Sequence, residues 1–176
     1  DLNSLGISAH QINTFGACHL DAPMIDHQLD RMEMDLEDKE RGLLFIENIG
    51  NLVCPAEFTI GEHVLMLIST VTEGSDKPYK YPLAFEKADI ILLNKVDLIP
   101  YLDFDEEFFM RGVRALNKTA PVFKVSGKTG EGFAEVAAWL EGRAAALNPE
   151  EHHHDHDHHH DHDHCHDHDH DHCHEH

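Results

Sequence analysis

Apolar residues fall along this chain in short runs separated by polar and glycine-bearing stretches. Residues 10–15 ("HQINTF") alternate weakly. Residues 42–48 ("GLLFIEN"), 64–71 ("VLMLISTV") and 88–95 ("ADIILLNK") are continuous runs, and 121–126 ("PVFKVS") supplies one more. Runs of this length predict strands of a parallel sheet covered on both faces. Helical spacing fills the gaps between them. Asp21 can cap a helix that has Pro23 in its first turn, with Ile25, Leu29, Met32 and Leu36 on one stripe. A second helix is expected from about Asp105, burying Phe109, Val113 and Leu116. A third is expected from about Glu131, with Phe133, Val136, Ala137, Leu140 and Ala144 on one face before "NPEE" ends it. This alternation predicts an α/β doubly wound domain, a mostly parallel sheet with helices on both faces, whose ligands bind at the carboxyl ends of its strands.

The pattern stops at the C-terminus. Residues 151–176 hold fifteen histidines, seven aspartates and two cysteines without one aliphatic or aromatic hydrocarbon side chain. Such a segment cannot offset the entropy of ordering, so a disordered tail is expected after a domain spanning 1–150. The tail carries nine carboxylates and no Lys or Arg, which leaves 25 acids against 13 bases in the rest of the chain. An acidic surface of this kind argues against nucleic acid as a partner, because phosphate neutralisation needs basic groups. No apolar run is long enough to span a bilayer and no leader pattern stands at Asp1, so no membrane partner is expected. The four cysteines lie in two unlike contexts and do not resemble a disulfide framework, which suits a reducing, cytoplasmic setting.

Candidate chemistry sits at the expected strand ends. "ILLNKVD" puts Asn94, Lys95 and Asp97 directly after a buried run. A carboxylate there can accept from the N1–H and exocyclic amine of guanine, whereas adenine would present an acceptor, so Asp97 would select guanine by leaving the wrong base unpaired. Asn94 could tether neighbouring loops or the base edge, and the stem of Lys95 could cover the ring. "VSGKTGEG" follows the next run, so Ser126, Gly127 and Lys128 would approach the same base through a backbone N–H. The "GKT" in it is not a phosphate loop, since position 122 is Val where such a loop requires Gly. Upstream, "LLFIENIGN" ends a run with Glu47 and Gly50, the spacing of a carboxylate that holds Mg²⁺ through water and a glycine whose N–H meets a terminal phosphate. Asp76 and Lys77 follow another strand end, where they either meet the nucleotide or a partner subunit or lie in a solvated loop. His10, His27 and His63 belong to no ligand constellation and read as structural or surface residues.

No G-x-x-x-x-G-K-[ST] occurs in the 176 residues. The opening "DLNSLGISAHQINTF" reads like a helix end entering an internal strand. A preceding portion with the first strand and phosphate loop is therefore expected, and this chain alone is not expected to hydrolyse nucleotide.

The stretches "QINT…CHLDA", "GLLFIENIGNLVCPAEF", "VTEGSDKPYKYPLAF", "ADIILLNKVDLIPYLDFD" and "GEG" resemble the HypB type of nickel-insertion GTPase of nickel–iron hydrogenase maturation, over about residues 5–142. The resemblance implies a P-loop GTPase of the signal-recognition/MinD class, here N-terminally truncated. Such a protein binds GTP/GDP and Mg²⁺, forms a nucleotide- or metal-dependent homodimer, works with a HypA-type zinc/nickel accessory protein and helps deliver nickel to the hydrogenase large subunit. It also implies a metal site at Cys18 and His19 of "CHLDA" and Cys54 of "NLVCPAEF". A mixed Cys/His set suits Ni²⁺ or Zn²⁺, and two or three ligands per chain are too few for a closed site, so a two-fold interface would complete it. The chain departs from the family in lacking a phosphate loop and in carrying its histidines after the GTPase domain.

Three other functions stay open. One is a nickel or zinc storage protein that turns over no nucleotide; another is a urease-maturation GTPase, against which "CHLDA" and "NLVCP" speak; the third is a guanine-binding half of a broken gene. In the tail, the candidate ligands are His152, His153, His154, His156, His158, His159, His160, His162, His164, Cys165, His166, His168, His170, His172, Cys173, His174 and His176. Interleaved aspartates would offset the charge of bound divalent ions, and two cysteines are not what a purification tag contains. The tail is therefore expected to be a fast-exchanging reservoir. The full chain should bind several more Ni²⁺ ions in a titration than a chain ending at Pro149, and lose them as pH falls through the histidine range and imidazole is protonated. Equal stoichiometry for the two chains would rule the reservoir out.

Overall fold

A computed structural model describes residues 2–7, 9–14, 16–31 and 42–147. The expected helical positions Met32 and Leu36, the end of the domain and the whole tail lie outside the described residues.

Three parallel strands form the sheet in the order β1 (Met66–Thr70), β2 (Ile90–Asn94), β3 (Val122–Lys124). Met66 stands opposite Ile90 and Thr70 opposite Asn94, while Ile91 stands opposite Val122 and Leu93 opposite Lys124. The central strand β2 explains why its sequence is apolar without alternation. Ile91 and Leu93 face one layer, with Leu67, Val71, Phe85, Phe109 and Val113; Ile90 and Leu92 face the other, with Val125, Val136, Trp139 and Leu140. Both faces of the strand are thus covered by helices, as in parallel sheets generally. The first layer is supplied by α4 (Pro82–Lys87) and α5 (Glu106–Leu116), the second by α6 (Phe133–Leu147). Phe85 and Phe109 meet edge to face at 5.9 Å in the first layer, an arrangement that adds to their area burial.

The helix starts follow the sequence signals. Asp105 accepts from the Phe108 N–H at 2.8 Å and caps α5, and Asp21 accepts from the Met24 N–H at 2.9 Å at the start of α1 (Ala22–Arg31). Short helices α2 (Cys54–Glu57) and α3 (Lys77–Lys80) each open with a proline in the first turn, Pro55 and Pro78.

Two expected strands and part of one expected helical face are corrected. Residues 10–14 and 42–48 contain no strand and pair with none of the three strands. A strand exists only as a ladder with a neighbour, and an apolar run without one stays irregular. Leu43, Leu44 and Phe45 are 53, 51 and 69% exposed, and Ile68 on β1 is 53% exposed. On α6, Phe133 and Ala137 face solvent while Trp139 turns inward. The entry to α6 accounts for this rotation. Gly132 has φ +77°, and a Cβ there would sit 2.1 Å from the Lys124 carbonyl oxygen, so the chain passes against the end of β3 before the helix begins.

Asn117, just after α5, ties that helix to α4 and to the segment that enters β3. Its buried Nδ2 donates to the carbonyls of Phe85, Glu86 and Ala88 at 3.0, 3.1 and 2.7 Å, and its Oδ1 accepts from the Ala120 N–H at 2.9 Å. Asn117→Ala should strand these backbone groups and lower the unfolding free energy by about 3 kcal/mol in urea denaturation. A loss below about 1 kcal/mol would mean that water replaces the amide.

Candidate functional site

The pairing of β2 with β3 brings two loops together at the carboxyl edge of the sheet. The Val125 N–H donates to the Leu93 carbonyl at 2.9 Å, and the Val96 N–H returns a bond to the Val125 carbonyl at 3.2 Å. Beyond these bonds, Asn94 closes β2 and Lys95 turns the chain through the left-handed region at φ 62°. The Lys95 N–H donates to Asn94 Oδ1 at 2.7 Å, which supports this turn. Lys95 is the one non-glycine residue with positive φ among the described residues, and such a conformation costs energy that the surrounding structure must offset. The 3-10 turn Val96–Tyr101 then presents Asp97.

From β3, the side chain of fully buried Ser126 donates to Asp97 Oδ1 at 2.6 Å, and the Gly127 N–H donates to Asn94 Oδ1 at 3.2 Å. The expected residues Asn94, Lys95, Asp97, Gly127 and Lys128 line one open cleft of about 400 Å³ together with Leu98. Beyond the backbone approach expected of it, Ser126 orients the Asp97 carboxylate through its hydroxyl. The donor and acceptor set fits guanine: an oriented acidic acceptor, a lysine stem and a flexible lysine at the rim.

A second cluster forms where residues 16–21 meet residues 47–58. Cys18 is exposed and Cys54, at the first position of α2, is half-buried. Cys18 Sγ lies 3.5 Å from His19 Nδ1, and the Cys18 thiol acts on Cys54, raising its pKa. The His19 ring stacks on Phe58 with centroids 4.2 Å apart and planes 1° from parallel. Asn48 Oδ1 accepts from the Leu20 N–H at 2.9 Å, and Asn51 Nδ2 donates to the Cys18 carbonyl at 3.1 Å. Of the expected trio, Cys18 adjoins His19 and is near enough to Cys54 to shift its thiol. Yet among the described residues no three His, Cys, Asp or Glu side chains form a group able to hold a metal. The set is an open one, soft sulfur with one imidazole, that could take Ni²⁺ or Zn²⁺ only with further ligands.

Glu47 and Gly50 lie exposed on the loop that runs from 42 into this cluster. Asp76 pairs with Lys80 at 2.7 Å, an exposed pair that carries little energy, and the largely covered Lys77 pairs with exposed Glu73 at 3.6 Å. The Lys80 ammonium holds the Asp76 carboxyl below its usual range. His10, His27 and His63 are exposed. The tail ligands lie outside the described residues. Phe58, Asn48 and Asn51 escaped the reading of the sequence. Asn48 and Asn51 flank Gly50 inside "ENIGN", and their polarity beside an apolar run is the only local signal they give.

Parallel strands with nucleotide-type loops at their carboxyl ends place the chain among the doubly wound nucleotide-binding proteins. Residues 2–124 match the CobW/HypB/UreG nucleotide-binding domain, and the chain belongs to that family. It is 52% identical over 140 residues to the hydrogenase maturation factor HypB of Azotobacter vinelandii, covering 80% of this chain and 45% of the relative. It is 45% identical over 145 residues to HypB of Escherichia coli K12, covering 82% and 49%. The chain therefore spans just under half the length of these two relatives. Among solved structures, HypB from Helicobacter pylori in complex with nickel superposes with a TM-score of 0.77 at 34% identity, covering 86% of this chain and 70% of that one. HypB from Archaeoglobus fulgidus superposes with a TM-score of 0.68 at 39% identity, covering 76% and 68%. No helix among the described residues is long and apolar enough to cross a membrane.

The hydrogen bond with Cys18 is the main cause that pushes the Cys54 thiol above its ordinary value, with partial burial and the charges of Cys18 and Glu57 acting the same way. Thiolate is the reactive form, so Cys54 should be alkylated by iodoacetamide slowly near neutral pH and faster as pH rises through and beyond the usual thiol range. Cys18→Ala removes the largest raising cause, and peptide mass spectrometry should then show the Cys54 profile moved to lower pH. An unmoved profile would show that the two thiols do not interact.

Proposed function

We propose that this chain is the guanine- and metal-binding part of a GTP-dependent nickel metallochaperone that serves [NiFe] hydrogenase maturation. The observation that carries this is the joint presence of two sites in one domain: the cleft at Asn94, Asp97, Ser126 and Gly127, and the Cys18, His19, Cys54 cluster where residues 16–21 meet the loop that follows Glu47 and Gly50. The nickel complex of the Helicobacter pylori relative and the maturation-factor names of the others support the choice of metal and pathway.

In this function Asp97 accepts from the guanine edge, Ser126 holds its carboxylate, and Asn94 keeps the two base loops in contact. Lys95 and Lys128 close over the ring. Glu47 would hold a water-bound Mg²⁺ that neutralises phosphate charge, and the Gly50 N–H would meet the terminal phosphate. Cys18, His19 and Cys54 hold nickel as cargo, with Zn²⁺ as a competitor, and a homodimer supplies the remaining ligands. Residues 1–150 form part of the GTPase domain, and residues 151–176 serve it as a nickel store. The partners are a HypA-type accessory protein and the hydrogenase large subunit, in the cytoplasm. GTP hydrolysis belongs to the whole protein and gates transfer by altering thiolate geometry.

Saturation-transfer NMR tests the base site on this chain directly. Base protons of GDP should receive saturation and those of ADP should not. Asp97→Asn should abolish transfer to GDP and admit XDP, whose 2-oxo group accepts from the new amide. Equal transfer to GDP and ADP would overturn guanine selection.

A further inference from the structure

Asn51 links the Gly50 turn to both cysteine-bearing segments. Its backbone N–H donates to the Ile49 carbonyl at 2.7 Å, closing a three-residue turn around Gly50. Its side chain reaches both thiol-bearing segments. Nδ2 donates to the Cys18 carbonyl at 3.1 Å, and Oδ1 accepts from the N–H groups of Val53 and Cys54, each at 3.0 Å. Residues 18 and 54 are far apart in sequence, and no sheet pairing joins their segments. Asn48 fastens Leu20 to the same loop at 2.9 Å, but among the described residues only Asn51 touches the backbone of both cysteines.

We infer that Asn51 is the positioning residue that sets the Cys18–Cys54 separation and couples it to the Gly50 turn. This rests on the metal-transfer function proposed above and adds to it the element through which a phosphate-sensing loop acts on the ligands. The amide is suited to this by its chemistry. One end donates and the other accepts, so a single planar group fixes a carbonyl on one segment relative to two N–H groups on the other. A displacement of Gly50 moves Asn51 through the tight turn, and Asn51 carries both thiols with it. A carboxylate in its place would keep the acceptor for Val53 and Cys54 but face the Cys18 carbonyl with no proton to share.

The test is a titration of the full chain with Ni²⁺ in a Cys165→Ser, Cys173→Ser background, so that sulfur-to-nickel charge-transfer absorption reports Cys18 and Cys54 alone. Asn51→Asp and Asn51→Ala should each weaken the charge-transfer site by about tenfold or more and shift the band, as loss of an outer partner does at other metal sites. Asn117→Ala, which lowers stability away from the cluster, should leave the band and its midpoint unchanged. Should Asn51→Ala fail to fold, Asn51→Asp decides alone. Retention of the band and midpoint to within about twofold in Asn51→Asp, while Cys18→Ser abolishes it, would overturn the positioning role and leave the metal site standing. Persistence of the band in both Cys18→Ser and Cys54→Ser would overturn the metal site itself.

Discussion

The parallel ladder that β2 makes with β1 on one side and β3 on the other is the constraint on which the rest of the described structure depends. Because Ile90, Ile91, Leu92 and Leu93 are all buried, the strand has no face free to shift, and slipping by one residue would leave the same side chains under the wrong helix. A fixed register fixes where β2 and β3 end. That is why Asn94 meets the Gly127 N–H and Asp97 meets the Ser126 hydroxyl, residues more than twenty positions apart in the chain. The cleft is a by-product of strand alignment, held by backbone bonds between Leu93, Val125 and Val96.

The cysteine–histidine cluster is built differently. Among the described residues no ladder reaches it; loops meet loops there through side-chain amides and a stacked pair, His19 on Phe58. Contacts of this kind are individually modest and exposed to water, so this part of the molecule is easier to deform than the base cleft. A cleft fixed by the ladder and a more deformable cysteine–histidine cluster suit the proposed function, in which the nucleotide is held and the metal is passed on. The exposed Leu43, Leu44 and Phe45 lie on the loop side of this division, whereas Ile68 is exposed within the ladder on β1.

Much of the fold could be read from the chain, and particular residues show why. The runs at 64–71, 88–95 and 121–126 became β1, β2 and β3, and Asp105 and Asp21 cap helices as their residue type suggests. The runs at 10–15 and 42–48 looked no less strand-like, but pairing is a property of two segments and neither has a partner among the described residues. The face of α6 was misjudged at Phe133 and Ala137 because the entry angle is set by Gly132 pressing on Lys124, a contact invisible to helical spacing.

By itself the sequence determined the donor types of both candidate sites and the parallel-sheet class, since apolar runs of strand length and residues such as Asp97 and Cys54 carry their chemistry wherever they are placed. Tertiary structure alone decided which donors meet. Ser126 became the partner of the Asp97 carboxylate, Phe58 the support of His19 and Asn51 the bridge between two cysteines, because hydrogen bonds and ring contacts depend on distances that the chain acquires only when the strands align and the loops between them close.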